Sequence, residues 1–327
     1  MRGLSPSYFT RTTSMETLLV ALLNGLIYGL LLFMISSGLT LIFGMMGILN
    51  FAHASFYMLG AYLAFTAIHM FGFWGGVVFG TLGVALIGFV CERYLLRHVR
   101  RFGHVQELLL TFGLFFAFEE VVKLFYGPYA VAYSVPESLR FTAFHIGEVS
   151  YPFFRVLIGL TAIVMFAAIF CLLRFTRIGL VVRAAVLNPT MVQALGYNVS
   201  VIFSAMFAVG AGLAGLAGAM GGAYYTTNPN MATELGVIVF VVVVVGGLGS
   251  LGGALIASLL IGVLVSAIVY VDVTFGQILS AVGLVSDEVA QSTLDVPLSS
   301  AAGVLPFLLM LLVLMFRPQG IAGDERA

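Results

Sequence analysis

Asn50 and His53 stand three residues apart in an otherwise apolar stretch, Ser37 to Tyr62, SGLTLIFGMMGILNFAHASFYMLGAY. On a helix that spacing places both side chains on one face. An amide and an imidazole at membrane depth either hydrogen-bond to a neighbouring helix or line a watered path for a polar solute, and the residues alone leave both readings open. Glu119, Glu120 and Lys123 form a second set, with Lys123 one helical turn from either carboxylate. An ion pair near the outer membrane face accounts for them. Glu119 is also a candidate for the solute path, because ionisable groups in membrane helices are costly unless used.

A third pattern misleads. Gly247-Leu-Gly249-Ser-Leu-Gly252 fits GxGxxG, follows a valine run and precedes Asp272, which together imitate a dinucleotide fingerprint. The following ALIASLLIGVLVSAIVY is an apolar helix of membrane length, with none of the strand and helix alternation that a βαβ unit requires. A glycine turn between packed helices is the better reading, and no cofactor is expected. Cys91 and Cys171 are the only cysteines; free thiols and no metal-ligand cluster are expected. Acid or base catalysis by Glu119, Glu120 or His53 would need several titratable groups at one depth, and the sequence offers few.

The elements that must position these residues are membrane helices. Of the 327 residues, 61% are hydrophobic and 9% charged, with a mean hydropathy of +1.13. That lies far outside the soluble globular range, and the balanced charge gives no sign of nucleic-acid binding. Apolar runs of roughly 20 residues, enough to cross a bilayer, recur from Thr17 to Phe316. The expected fold is an all-α polytopic membrane protein, with residues 1–16 a polar extension, 17–318 one transmembrane domain and 319–327 a cytoplasmic tail.

Two basic loops set the orientation. Arg93, Arg97, Arg100 and Arg101 mark one cytoplasmic loop, and Arg174, Arg177 and Arg183 a second. Between them, Tyr126 to Arg155 is an outer loop. Helices are expected from Phe51 to about Phe71 and from Trp74 to Leu96, and a glycine-rich helix from Val201 to Gly222. Two more crossings follow around the Gly246 to Gly253 turn. A polar outer stretch, Val271 to Ser300, holds Asp272, Asp287, Glu288 and Asp295. Counting Gly38 to Asn50 as a discontinuous, glycine-broken second crossing gives about ten segments and puts Arg2 and Arg11 inside, the favoured threading; otherwise there are about nine. Gly44, Gly47, Gly247, Gly249 and Gly252 are the expected helix breaks and packing points.

The second basic loop contains RAAVLNPTMVQALG, Arg183 to Gly196. Pro189 suits a first helical turn, Asn188 its cap and Gly196 its stop. The product is a short surface helix, partly apolar through Met191, Val192, Ala194 and Leu195. Such a helix suits docking into a groove on a soluble partner.

Taken in order, ILNFAHASFYMLGAY, RAAVLNPTMVQALG, GLAGLAGAMGG, GGLGSLGGALIASLLIG and FRPQGIAG resemble the LivH-type permease subunits of branched-chain amino-acid ABC importers, over about Leu18 to Gly323. The resemblance implies a non-enzymatic subunit of a bacterial inner membrane that binds no cofactor. It also implies a LivM-type partner permease, two cytoplasmic LivG/LivF-like ATPases that consume ATP, and a periplasmic binding protein. It makes Arg183, Ala184, Ala185, Ala194, Leu195 and Gly196 the coupling segment against an ATPase; Asn50, His53 and Glu119, by residue type and place, are the candidates for the translocation pathway. Glu119 stands where a neutral polar residue is expected in that family, and the Val271 to Leu298 stretch is longer than expected. Importers of urea, short amides or aromatic and organic acids are similar machines with other cargo. An ion-coupled carrier, with Glu119 as coupling site, is the rival outside the ABC class.

Overall fold

Chains this apolar must satisfy their backbone polar groups internally, which in lipid selects helices. The computed structural model describes residues 15–47, 49–147, 149–270, 274–281 and 296–323. Its helices are α1 (Met15–Met46), α2 (His53–Val90), the single turn α3 (Arg97–Val99), α4 (His104–Tyr126), α5 (Phe153–Phe175), α6 (Arg177–Leu187), α7 (Pro189–Ala194), α8 (Val199–Tyr224), α9 (Met231–Gly246), α10 (Leu251–Tyr270), α11 (Phe275–Ala281) and α12 (Leu305–Phe316). Strands β1 (Thr142–Ile146) and β2 (Val149–Pro152) pair as a small antiparallel hairpin in the outer loop.

Gly72 folds α2 back on itself. Its φ of 69° and ψ of −179° are open to glycine without a Cβ penalty, and they separate two limbs, residues 53–71 and 73–90. Small residues let the limbs close. A Cβ added to Gly76 would lie 2.9 Å from the Ala64 carbonyl oxygen, and one on Gly80 would lie 2.7 Å from that of Gly60. The expected pair of helices on either side of this turn is therefore present. Glycine-rich α8 fills the groove between the limbs in the most extensive helix contact among the described residues: Gly215 packs on Val84, and Gly218 and Gly222 pack on Tyr57 and Ala61. In lipid this close approach replaces the hydrophobic driving force as the source of association.

α1 corrects one expectation. It runs without a break through Gly38 and Gly44 to Met46, so Gly38 to Asn50 is not a separate crossing. Those glycines serve close approach instead. Gly38 lies against the Gly210 backbone, and Gly44 against that of Gly249, contacts that outweigh a helix-propensity cost of about 1 kcal/mol each. The chain leaves the helix at Gly47, where φ is +65°. α10 packs antiparallel along α1, with Gly25 facing Val263 and Gly29 facing Ser258.

Five described helices are long and apolar enough to cross a membrane, α2 being counted as one with its tail. With α2 taken as two limbs, and α4, α9 and α12 added, the described residues contain nine apolar segments. α1 starts at the outer end, where Glu16 meets Gly147 of the β-hairpin, so the nine-segment threading replaces the ten-segment one. Arg2, Arg11, Asp272, Asp287, Glu288 and Asp295 lie outside the described residues.

Candidate functional site

The chain between α1 and α2 doubles back into the membrane layer. His53 opens α2 beside Ile35, about 16 Å of helix above the inner end of α1. Its Nε2 faces the Ile35 carbonyl oxygen at 2.9 Å. Non-helical backbone is tolerated at such depth only when protein covers it or it lines a cavity, and both conditions hold here. The Phe51 N–H donates to Thr111 Oγ1 (3.3 Å) and Ser55 Oγ donates to the Phe115 carbonyl (3.3 Å), tying the segment to α4. Asn50 stands outside the helix, so it does not share a helical face with His53. The turn joins them instead: the Asn50 carbonyl accepts from the His53 N–H (3.2 Å) and its Oδ1 accepts from the Ala52 N–H (3.1 Å).

Asn50 and His53 both line a cavity of about 340 Å³ between the turn, α4 and α9. Its walls are mainly apolar, with Leu39, Phe112, Phe115, Phe116, Val239 and Phe240 prominent. Both residues are buried, at 4% and 1% exposure, and each keeps one buried polar atom without a hydrogen-bond partner: Nδ2 of Asn50 and Nδ1 of His53. Unpaired buried polar atoms are rare and costly in native structures. A mostly apolar cavity with a few convergent polar groups is the usual form of a small-molecule site.

Glu119 does not line this cavity. It accepts from Lys123 Nζ (2.7 Å) while Glu120 accepts from the same ammonium (2.9 Å), the expected local ion pair. Its second oxygen accepts from Thr233 Oγ1 (3.3 Å), and Thr233 does line the cavity. Glu119 thus reaches the site through one hydroxyl.

At the end of the bundle that carries the two basic loops, Arg183 lies in α6, capped by Thr176, whose Oγ1 accepts from the Gly179 N–H (3.1 Å). Asn188 caps α7 by accepting from the Met191 N–H (3.0 Å), and Gly196 ends it with φ at +88°. Ala185 packs with Val192 and Val199 beneath this elbow, with Ala184 at its edge, while Ala194, Leu195 and Gly196 face outward. A second cavity of about 390 Å³ separates α6 from α1, with Arg183, Thr40, Gly44 and Gly249 among its lining. Gly247 (φ +100°) and Gly249 (φ +85°) turn the chain between α9 and α10. A Cβ on Gly252 would meet nothing within 4 Å, so that residue is not a packing point.

Sequence reasoning missed Thr233 and the phenylalanines of α4, which carry no local signature beyond helical spacing. It also missed a buried charge cluster. Arg100, read as an orienting charge, bonds Glu107 (2.9 Å) and lies 3.6 Å from Glu92, and both carboxylates are 1% exposed. Ser204 of α8 donates to Glu92, so the cluster joins the helical tail that follows α2 (residues 91–102) to α4 and α8. Acidic residues flanking the basic run were the available signal.

A multi-pass helical membrane protein with a re-entrant turn, a cavity at its tip and a capped helical elbow on the side of the basic loops is built as a transport subunit. Residues 21–314 match the family model described as branched-chain amino acid transport system / permease component, and the chain belongs to that family. It is 28% identical over 319 residues to the high-affinity branched-chain amino acid transport system permease protein LivH of Salmonella typhimurium, covering 92% of this chain and 94% of that protein. It is 29% identical over 316 residues to BraD, of the same description, from Pseudomonas aeruginosa, with the same coverage. A probable LivH of Methanocaldococcus jannaschii is 26% identical over 257 residues, 76% of this chain and 80% of that one. No solved structure matches the chain.

Proposed function

We propose that this chain is the membrane-spanning permease subunit of an ATP-driven importer for leucine, isoleucine and valine in a bacterial inner membrane. The observation that carries the reading is the re-entrant turn, which brings the buried polar residues Asn50 and His53 to the wall of a mainly apolar cavity inside a permease-family fold. In this reading Asn50 and His53 line the pathway and Glu119 acts at its edge. Arg183, Ala184, Ala185, Ala194, Leu195 and Gly196 transmit ATPase movement, since α6 and α7 form the one capped helical elbow among the described cytoplasmic residues. ATP is hydrolysed by two separate ATPase subunits; the chain itself binds no cofactor and pairs with a second permease, and a periplasmic binding protein delivers the solute. Nucleotide then biases a switch between two packings of the membrane helices.

Uptake of leucine, urea and benzoate, compared side by side in vesicles holding the full importer, tests the cargo. Leucine accumulation is the expected result. Accumulation of urea or benzoate in its place would keep the machine and overturn the cargo.

A further inference from the structure

The cavity between the turn, α4 and α9 is not closed by this chain. Phe51, Phe112 and Phe116 of its wall are 44%, 50% and 49% exposed, so it is open on the side of these rings. The opening lies inside the membrane layer. The Phe51 N–H donates to Thr111 Oγ1, and Thr111 stands seven residues, about 10 Å, into α4. The ring of Phe51 spans the mouth, its centroid 6.0 Å from that of Phe112 on α4 and 6.4 Å from that of Phe240 on α9. An exposed residue of the non-helical turn therefore stands at a depth where lipid does not accept irregular backbone unless protein or water covers it. The exposed row of α4 continues outward from Phe116 to Glu120, whose side chain is 71% exposed six residues short of the helix end. A carboxylate against hydrocarbon is costly, and its pairing with Lys123 lowers that cost without removing it.

A different face has the pattern that suits lipid. Along the second limb of α2, Phe79, Leu82, Leu86 and Val90 are exposed on regular helix with no charge among them, and exposed Arg93 follows at the end, as in a lipid-facing wall that meets head groups. The α4 row of Val105, Leu109, Phe112 and Phe116 is as apolar, but it borders the irregular turn and runs into Glu120. Resting on the transport reading above, we propose that the face formed by α4, the re-entrant turn and α9 packs against a second permease subunit, which covers the turn and closes the open side of the cavity. The cavity wall is then shared by two chains. Side-chain packing on Leu109, Phe112 and Phe116 supplies the contact that drives helix association in lipid, and a hydrogen-bond donor or cation of the partner opposite Glu120 fits its exposed carboxylate.

The test is site-specific photo-crosslinking in the assembled importer, two permease subunits and two ATPases in lipid nanodiscs, with p-benzoylphenylalanine replacing in turn Leu109, Phe112 and Phe116 and, on the contrasting face, Leu82 and Leu86. Only substituted complexes that co-purify with all subunits are illuminated. Covalent adducts of this chain with a permease subunit, identified by mass spectrometry, are expected from the three α4 positions, and lipid adducts alone from the two α2 positions. Permease adducts from Leu82 or Leu86 instead, or only lipid, ATPase or no adducts from the α4 positions, would overturn the proposal. Permease adducts from Leu109 without any from Phe112 or Phe116 would overturn the closing of the cavity. ATP-driven leucine uptake by the unsubstituted importer with its binding protein separates the two readings: uptake without α4 adducts removes this interface and keeps the transporter, whereas α4 adducts without uptake keep the interface and remove the transport reading.

Discussion

His53 Nε2 meets the Ile35 carbonyl oxygen at 2.9 Å across eighteen positions of sequence, pinning the first residue of α2 to the middle of α1. This bond holds the re-entrant turn at its depth. Interhelical hydrogen bonds in membranes are worth about 1 kcal/mol, so His53→Leu should lower the melting free energy by about that amount. It should also cut the solute transport rate by far more than the stability loss explains. Thermal melts and uptake on the same purified complex separate the two effects.

Glycine packing gives a contrast inside one molecule. A Cβ on Gly218 would overlap the Tyr57 carbonyl, whereas one on Gly113, mid-way along α4, would meet nothing within 4 Å. Gly218→Ala is expected to destabilise by about 1–3 kcal/mol through overpacking. Gly113→Ala is expected to stabilise by about 0.5–1 kcal/mol through helix propensity. Fluorescence-detected thermal unfolding of the two variants checks the opposite signs.

Arg100 stands between Glu92 and Glu107. Arg100→Met removes the cation and leaves two buried carboxylates facing each other, a change worth about 3–5 kcal/mol. Loss of folded, assembled protein is the expected outcome. The double change with Glu107→Gln should recover part of it, as a melt series shows.

Tyr133 in the outer loop donates its hydroxyl to the Ala219 carbonyl (2.6 Å), and burial pushes its phenol above the usual tyrosine range. A raised folded-state value means the folded form holds the proton more tightly. Its contribution to stability is therefore complete below the unfolded value of about 10 and is lost as pH rises through the folded one. Melting temperature should fall above about pH 10, and Tyr133→Phe should flatten that slope while lowering stability at neutral pH.

Much of this was legible in the residues. The two limbs meeting at Gly72, the α9–α10 turn at Gly247 and Gly249, and the Asn188 cap of α7 follow from local rules about glycine, proline and side-chain caps. Gly38 and Gly44 were not legible, because a glycine in a membrane helix reads alike as a break or as a contact, and only Gly210 and Gly249 on other helices decide it. Asn50 and His53 were found by type, but the turn that joins them is tertiary. Thr233 and Phe240 reach the cavity through the placement of α9, which no local spacing encodes.

The central claim is that this permease moves solute only when partner ATPases turn over. The most direct measurement is leucine accumulation by proteoliposomes holding the complete importer and loaded binding protein, with ATP or its non-hydrolysable analogue and with all ion gradients collapsed. The account predicts accumulation with ATP alone and none with the analogue. Accumulation that needs an ion gradient and ignores ATP, in complexes shown to hydrolyse it, would contradict the account and make the chain a carrier.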